Sequence, residues 1–256
     1  MDWDPSKYLQ FADQRSRPFV DLTSQIAAAE PRRVVDAGCG SGELTELLSR
    51  RWPSAQVFGF DSSPDMIERA RRLATDRLAF AEGDVRDWRP DPDVDVLVSN
   101  AVLQWVPDHL DLIRRWADEL PSRAWFGWQV PGNFRSPSHV LMRELAESSR
   151  WAAKLDGVLR HHDAVAEPAD YAAVLLERGW EALAWETTYL HMLSGSDPVL
   201  EWVRGTGLRP ILAALDVDDA REFTGTYARQ VRAAYPAGPF GTPFPFRRLF
   251  CVGRKL

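Results

Sequence analysis

One short stretch, residues 34–44, most constrains the fold of this chain, and it reads VVDAGCGSGEL. A β-branched run ends at Asp36 and enters three alternating glycines, and an amphipathic run, residues 44–48, follows them. This pattern predicts a strand, a tight loop and a helix. The backbone N–H groups at such a helix N-terminus favour an anion, either a phosphate or a carboxylate.

Two common nucleotide-binding motifs fit this loop poorly. The dinucleotide fingerprint GxGxxG requires a third glycine where this chain has Glu43, whose carboxylate would face a pyrophosphate. The phosphate-binding pattern GxxxxGK[ST] fails as well, because no Lys-Ser or Lys-Thr pair follows the glycines. A GxGxG loop preceded by an acid remains, and on its own it is also compatible with an ordinary βα turn of any α/β protein.

The second strand-like run, residues 56–60, ends in Asp61. Ser63 and Pro64 then suit the N-cap and the first turn of a helix. An acid at this strand end, about twenty residues beyond the glycines, can accept hydrogen bonds from both hydroxyls of a ribose. The second strand end therefore predicts a nucleoside-binding position.

Two later strand-like runs also end in polar residues. Residues 78–80 lead to Asp84 within the segment EGDV, and residues 94–99 lead to Asn100, which begins the segment NAVLQW. Strands and helical runs alternate up to residue 130, which predicts an α/β fold with a mostly parallel sheet and helices on both faces. Ligands bind such sheets outside the carboxyl ends of the strands, where these polar residues lie.

The DAGCGSG loop and the four strand ends together resemble the class I S-adenosylmethionine-dependent methyltransferases. The resemblance implies a Rossmann-like fold, a seven-stranded sheet with an antiparallel last strand, and S-adenosyl-L-methionine as the cofactor. In that family the acid after the third strand meets the adenine amino group, and the segment after the fourth lies where the methionyl end meets the substrate. The candidate cofactor-binding residues are Gln14, Asp36, Gly38, Gly40, Gly42, Asp61, Ser62, Met66, Asp84, Val85, Asn100 and Trp105.

Two groups of candidate residues, for the cofactor or for the substrate, have an alternative interpretation. Methyltransferases of this class often fold a segment before the domain over the cofactor pocket, so Tyr8, Gln14 and Arg17 either line the site or do not reach it. Trp105 either attracts the sulfonium through a cation–π contact or packs beneath a helical cap. The chain has eleven tryptophans, and most of them must be packing residues.

The whole chain is expected to form one domain with insertions. The predicted segments are an N-terminal helical segment at 1–30, a cofactor-binding core at 31–130, substrate-cap insertions at 131–180 and 194–240, and the last sheet strands at 181–193 and 246–253.

Four blocks outside the glycine loop carry a narrower resemblance, to the trans-aconitate methyltransferase family. They read DWDPSxYLxF followed by RSRP, NAVLQWVPDH, SHVLMRE and WVxGTGLRP, where x marks a position outside the resemblance, and they extend over most of the chain. The resemblance implies methyl esterification of trans-aconitate, and of related polycarboxylates, by S-adenosylmethionine.

A carboxylate acceptor requires no general base, because carboxyl groups with pKa values near 4 are ionised at neutral pH. The protein must hold one oxygen in line with the methyl group and bind the non-reacting carboxylates with cations, for which guanidinium groups are suited. The sequence therefore predicts a basic clamp and no acid–base catalytic residue. Only one of Arg247 and Arg248 can face inward by strand alternation. The candidate substrate-binding residues are Tyr8, Arg17, His139, Tyr189, Arg204, Arg209 and Arg248.

Composition restricts the possible partners and location. The net charge of −6 has no long run of one sign, which gives no indication of a nucleic-acid or membrane partner. The two cysteines, Cys39 and Cys251, lack metal-binding spacing, so we expect no metal and a reducing cytoplasm. The N-terminus has the features of neither a signal peptide nor a membrane span. The oligomeric state is open, and a monomer is compatible with the sequence.

Two other functions remain open from the residues. One is a methyltransferase for a phenol, an amine or another acid, which predicts a base beside the acceptor and no need for several arginines. The other is a non-catalytic protein on the same fold that binds the cofactor and regulates a partner.

Overall fold

The computed structural model describes residues 16–159 and 164–256. Its internal contacts divide the chain into two compact units. The first unit comprises Met1–Val130, Val165–Glu186 and Arg248–Leu256. The second comprises Pro131–Ala164 and Thr187–Arg247.

A seven-stranded sheet organises the chain, in the order β3-β2-β1-β4-β5-β7-β6. The pairs β1–β2, β1–β4, β2–β3 and β4–β5 are parallel. The strands are β1 (Arg33–Ala37), β2 (Gln56–Asp61), β3 (Leu78–Glu82), β4 (Val94–Asn100), β5 (Trp125–Pro131), β6 (Trp180–Leu193) and β7 (Thr242–Lys255).

The last strand runs against its neighbour β5. The backbone N–H of Lys255 donates to the carbonyl of Ala124, and the N–H of Gly132 donates to the carbonyl of Arg247. The residue numbers of the two strands therefore run in opposite directions, which confirms the predicted Rossmann-like sheet with an antiparallel last strand. The strand order reverses between β1 and β4, and ligands of such folds bind at this switch point.

Proline is the first or second residue of six of the described helices, where its fixed φ and missing N–H carry no penalty. The first unit holds α1 (Arg17–Ser24), α2 (Glu43–Arg51), α3 (Pro64–Ala70), α4 (His109–Glu119) and α7 (Pro168–Leu176). The second unit holds α5 (Pro137–Ala146), α6 (Ala152–Leu155), α8 (Pro198–Arg204), α9 (Arg209–Ala214) and α10 (Val217–Ala234). No helix in the described part of the chain combines the length and the hydropathy needed to cross a membrane.

The core of the first unit lies on one face of β5. Phe126, Trp128 and Val130 alternate along the strand and are fully buried among aromatic and aliphatic side chains from α4 and α7. Burial of each such side chain contributes about 1.5–3 kcal/mol. The buried face of α7 belongs to this core through Tyr171, Val174 and Leu175. Residues 165–186 therefore lie in the first unit, although the sequence analysis grouped residues 131–180 as one insertion. The assignment of a substrate cap stays a prediction.

The core of the second unit is centred on α10. Phe223 and Tyr227 are fully buried there, and the Tyr227 hydroxyl donates to the carbonyl of Ser138 at 2.8 Å. The hydroxyl of Tyr235 accepts from the N–H of the same serine at 3.1 Å. These two bonds tie α10 and the residue after it to the first turn of α5.

Candidate active site

The glycine loop after β1 has the left-handed backbone that its composition predicts. Gly38, Gly40 and Gly42 have φ angles of 85°, 55° and 89°. A Cβ atom on Gly38 would lie 2.1 Å from Val102, and one on Gly42 would lie 2.9 Å from Phe80. At Gly40 no atom lies within 4 Å of such a Cβ. The loop is therefore packed at both ends and borders open space at its centre.

Asp61, at the end of β2, ties this loop to the next helix. Its Oδ2 accepts from the N–H of Gly40 at 3.0 Å, and its Oδ1 accepts from the N–H of Ser63 at 2.9 Å. Each carboxylate oxygen has a second lone pair, so the side chain keeps capacity for further donors. Ser62 and Met66 follow, and both are exposed.

Asp36 lies beneath the loop, with a side chain that is 2% exposed. The Thr45 hydroxyl on α2 donates to Asp36 Oδ2 at 2.7 Å. Burial raises the pKa of Asp36 to about 7; the Thr45 bond opposes this shift, and the negative charge of Asp61 adds to it. The geometry shows Asp36 joining β1 to α2 from within the core.

Asp84, at the end of β3, is paired with an arginine that the sequence analysis did not identify. Arg86 donates to Asp84 Oδ1 from its backbone N–H at 2.8 Å and from Nε at 2.9 Å, and Nη2 reaches Oδ2 at 2.5 Å. This fork lowers the pKa of the Asp84 carboxyl. The neighbouring Val85 is buried. An arginine two residues after an acid gives no clear sequence signal, because such pairs are common on protein surfaces.

The end of β4 carries an unpaired polar atom. Asn100 Oδ1 is buried and has no hydrogen-bond partner among the described residues. Ala101 follows with a left-handed φ of 57°, and its N–H donates to the carbonyl of Gln129 on β5 at 2.9 Å. Trp105 lies four residues further on and is 52% exposed. A cofactor role for its ring stays a prediction.

Gln129 is a second polar residue that the sequence analysis missed. It is fully buried in β5, where it pairs in register with Asn100 on β4. Arg248 on β7 donates from Nη1 to Gln129 Oε1 at 3.3 Å. Of the two arginines that strand alternation could not separate, Arg248 therefore lies with the first unit. Gln129 carries no local sequence signal, because its significance depends on the register of three strands.

Four of the candidate substrate-binding residues lie in the second unit. Ring atom Nδ1 of His139 lies 3.3 Å from the hydroxyl of Ser138, and a Cβ on Gly207 would lie 3.4 Å from His139 Nε2. The structure thus brings His139 together with the turn between α8 and α9. They border a cavity of about 30 Å³ with the side chains Phe134, Met142, Arg143, Val158, Leu159 and Pro210.

The other three differ in their surroundings. Arg204, at the end of α8, is exposed, lies 3.3 Å from Glu201 and lines a separate groove of about 750 Å³. Arg209, at the start of α9, is exposed and makes no ion pair with any described residue. The ring of Tyr189 stacks on His191, which in turn stacks on Trp202.

Three candidates lie at or beyond the beginning of the described chain. Tyr8 and Gln14 fall outside the described residues. Arg17 is exposed at the start of α1, with its Nε 3.7 Å from Asp21 Oδ2. The described residues contain no group of three histidine, cysteine or acidic side chains placed to hold a metal ion.

The strand order, the glycine loop at the switch point and the acid at the end of β2 define a class I methyltransferase. A family model described as a methyltransferase domain matches residues 34–121. Among solved structures, YcgJ from Bacillus subtilis superposes with a TM-score of 0.56 at 15% identity, over 91% of this chain and 95% of that one. The complex of Haemonchus contortus phosphoethanolamine N-methyltransferase 2 with phosphomonomethylethanolamine and S-adenosylhomocysteine gives 0.55 at 13% identity, over 93% of this chain and 52% of that one.

Curated relatives are far more similar in sequence. The trans-aconitate 2-methyltransferase of Streptomyces coelicolor is 54% identical over 99% of this chain and 86% of its own length. The enzyme of that name from Rhodococcus jostii is 52% identical over 98% of this chain and 99% of its own. The chain therefore belongs to the trans-aconitate 2-methyltransferase family, and its cofactor is S-adenosylmethionine.

Proposed function

We propose that this enzyme esterifies one carboxylate of trans-aconitate to give the monomethyl ester. The observation that carries the proposal is the similarity, over nearly the whole chain, to enzymes with that activity in their names. The proposed substrate range includes related polycarboxylates such as cis-aconitate, citrate and isocitrate, because each presents several carboxylates to the same cations. The two cysteines are free and buried, which is compatible with action in a reducing cytoplasm.

The residues at the carboxyl ends of the first four strands fit an adenosyl cofactor. Gly40 borders open space, and the buried acceptor Asn100 Oδ1 suits an ammonium group. Asp61 retains lone pairs for ribose hydroxyls, and Asp84 with Val85 is the expected adenine position. When bound, S-adenosylmethionine supplies a methyl group on a positively charged sulfur. Gln14, Asp36, Gly38, Gly42, Ser62, Met66 and Trp105 complete the proposed cofactor-binding set.

The transfer requires no proton movement. Held by the glycine loop and Asp61, S-adenosylmethionine would supply its methyl group to the carboxylate oxygen, and the electron pair of the broken S–C bond would stay on sulfur as the O–C bond formed. Opposite charges are neutralised in this step, so a surrounding of low polarity favours it over water. The protein contributes by fixing the oxygen in line with the methyl group, an effect worth up to about 7–11 kcal/mol in model reactions.

The non-reacting carboxylates need cationic partners. Arg209 supports this role best among the described candidates, because its exposed guanidinium makes no ion pair within them. Arg204 already lies beside Glu201, so a carboxylate ligand would have to compete with that acid. His139, Tyr189, Arg248, Arg17 and Tyr8 complete the proposed substrate-binding set.

The test is a methyl-transfer assay with S-adenosylmethionine and each of trans-aconitate, cis-aconitate, citrate and isocitrate. We expect Arg209→Ala to lower kcat/KM for trans-aconitate by about 30-fold or more, since loss of one partner of a desolvated charge pair costs about 2–5 kcal/mol. The control is Arg50→Ala, which removes an exposed arginine of α2 that donates to Glu46. It should leave kcat/KM within about twofold.

One result would contradict the proposed substrate, and another would contradict the role of Arg209. Tight binding of S-adenosylhomocysteine without turnover of any of these acids would overturn the substrate class and favour another acceptor or a regulatory role. Rapid turnover of trans-aconitate by both arginine variants would keep the substrate and exclude Arg209 from the clamp.

A further inference from the structure

The Gln129 side chain is a polar group placed where a parallel sheet of this kind binds its ligands. It lies near the carboxyl end of β5 in register with Asn100, so both residues stand beside the switch point. The flanking side chains Trp128 and Val130 point to the opposite face of the sheet, into the core of the first unit. Gln129 thus shares its face of β5 with Gly127 and is separated from that core.

The orientation of the Gln129 carboxamide follows from its partner. Arg248 Nη1 lies 3.3 Å from Gln129 Oε1. A guanidinium group has donors and no acceptor, so the amide oxygen must be the atom that faces Arg248. The amide nitrogen Nε2 then points elsewhere, and it is buried without a hydrogen-bond partner among the described residues.

A buried N–H₂ group without an acceptor is costly. Leaving such a donor unpaired destabilises a fold by about 1–3 kcal/mol, and buried orphans are few in native proteins. A methionine or leucine would fill the same volume without that penalty. The polar group at this position is therefore better explained by a ligand that supplies an acceptor than by packing.

The strand order indicates which ligand this is. Neighbouring strands lie about 4.8 Å apart, so β5 is about 10 Å and β7 about 14 Å from β1, whose end carries the glycine loop. Gln129 and Arg248 are therefore displaced from the loop toward the far side of the switch point. The two oxygens of a carboxylate can accept hydrogen bonds from the N–H₂ group of Gln129 and from the guanidinium of Arg248.

We propose that Gln129 and Arg248 form a carboxylate subsite that holds one non-reacting carboxylate of the substrate, with Gln129 Nε2 as its buried donor. Gln129 is then a specificity-determining residue that also orients the guanidinium of Arg248 through Oε1. The inference rests on the proposed function, since it assigns a position to one carboxylate of the polycarboxylate substrate.

Two substitutions of nearly equal volume test the subsite. Gln129→Met removes both polar atoms, and Gln129→Glu keeps an acceptor for Arg248 while replacing the donor Nε2 with a second oxygen. The measurements are calorimetric titration with trans-aconitate in saturating S-adenosylhomocysteine, titration with S-adenosylhomocysteine alone, and the melting temperature. We expect both variants to weaken trans-aconitate binding by at least tenfold and to change the Kd for S-adenosylhomocysteine less than threefold.

The melting temperature separates a ligand-binding role from a structural one. Gln129→Met should change the melting temperature by no more than a few degrees, because removal of the unpaired donor Nε2 offsets the loss of the acceptor for Arg248. The control is Val130→Ala, on the opposite face of the same strand, which shrinks a fully buried apolar side chain. It should lower the melting temperature and leave the Kd for trans-aconitate within threefold.

The titrations distinguish a failure of the subsite from a failure of the proposed function. If the wild type and Gln129→Met bind trans-aconitate equally well, the subsite is wrong and the proposed function stands. A Gln129→Met variant that loses affinity for S-adenosylhomocysteine to the same extent would assign the residue to the cofactor and overturn the subsite. A wild type that binds none of the four polycarboxylates would overturn both the proposed function and the subsite.

Discussion

Gly38, Gly40 and Gly42 share a left-handed backbone, but the space around them differs. A side chain at Gly38 or Gly42 would collide with Val102 or Phe80, whereas one at Gly40 would enter open space. The outer two glycines therefore serve packing as well as conformation. The φ angle of Gly40 favours glycine, since an alanine there costs about 1–2 kcal/mol. The proposed cofactor would also occupy the space into which a side chain at this position would point.

The same substitution at two of these positions separates packing from binding. Gly40→Ala should lower the melting temperature by only a few degrees, at about 2–4 °C per kcal/mol for a chain of this size, and weaken S-adenosylhomocysteine binding by at least tenfold. Gly38→Ala should cause a clearly larger loss of melting temperature, because its Cβ would overlap the Val102 side chain. Thermal denaturation and calorimetric titration measure both effects. Wild-type affinity in Gly40→Ala would exclude Gly40 from the cofactor site.

Sequence reasoning found the residues of the candidate site whose signals are local. The spacing of the glycines predicts the loop, and the position of Asp61 at the end of a strand-like run predicts its place at the site. Gln129 and Arg86 were missed for a physical reason: each becomes notable through an unpaired atom or a fork that exists only after folding. Asp36 was assigned to the cofactor site from its motif, and that role stays a prediction; the fold adds the buried contact with Thr45.

At the scale of elements, local sequence signals predict where the helix α7 begins, but they do not predict which unit it packs in. The N–H of Glu167 donates to Asp170 Oδ2 in a capping box, and Pro168 occupies the first turn. Residues 167–170 therefore carry the local signals that begin this helix. Its apolar face packs in the core of the first unit through Tyr171. Two helices were not predicted as such, α8 and α9, because each spans two turns or fewer around the Gly205–Gly207 turn and gives little periodicity.

The Tyr171 hydroxyl joins α7 to the start of α4. It lies 2.9 Å from His109 Nε2 and accepts from the N–H of Ala166 at 3.2 Å. Tyr171→Phe leaves both groups without this partner while keeping the ring, so we expect a loss of about 1–3 kcal/mol in the free energy of unfolding. Urea denaturation at pH 8 measures it, since burial lowers the pKa of His109 and keeps the ring neutral there. An unchanged denaturation midpoint would show that this bond does not stabilise the fold.

At the scale of the whole molecule, the proposed residues divide between two units with separate cores. All the described candidates for cofactor binding lie in the first unit, and His139, Tyr189, Arg204 and Arg209 lie in the second. The net charge of −6 gives no indication of this arrangement, because the charges that matter are a few local arginines within an acidic total. The sequence analysis expected one continuous domain with two insertions, and whether the second unit acts as a substrate cap stays a prediction.

Matched core substitutions test whether cofactor binding depends on the first unit alone. Leu175 and Leu208 are both fully buried, in the cores of the first and second units respectively. Each leucine-to-alanine change should cost about 2–5 kcal/mol, a large part of the stability of a typical domain. In the full chain at 15 °C, we expect Leu208→Ala to keep the Kd for S-adenosylhomocysteine within threefold of wild type and Leu175→Ala to weaken it further. Amide hydrogen exchange should increase mainly in the unit that carries the substitution. Equal loss of cofactor affinity in both variants, or exchange that rises throughout the chain, would show that the two cores form one cooperative unit.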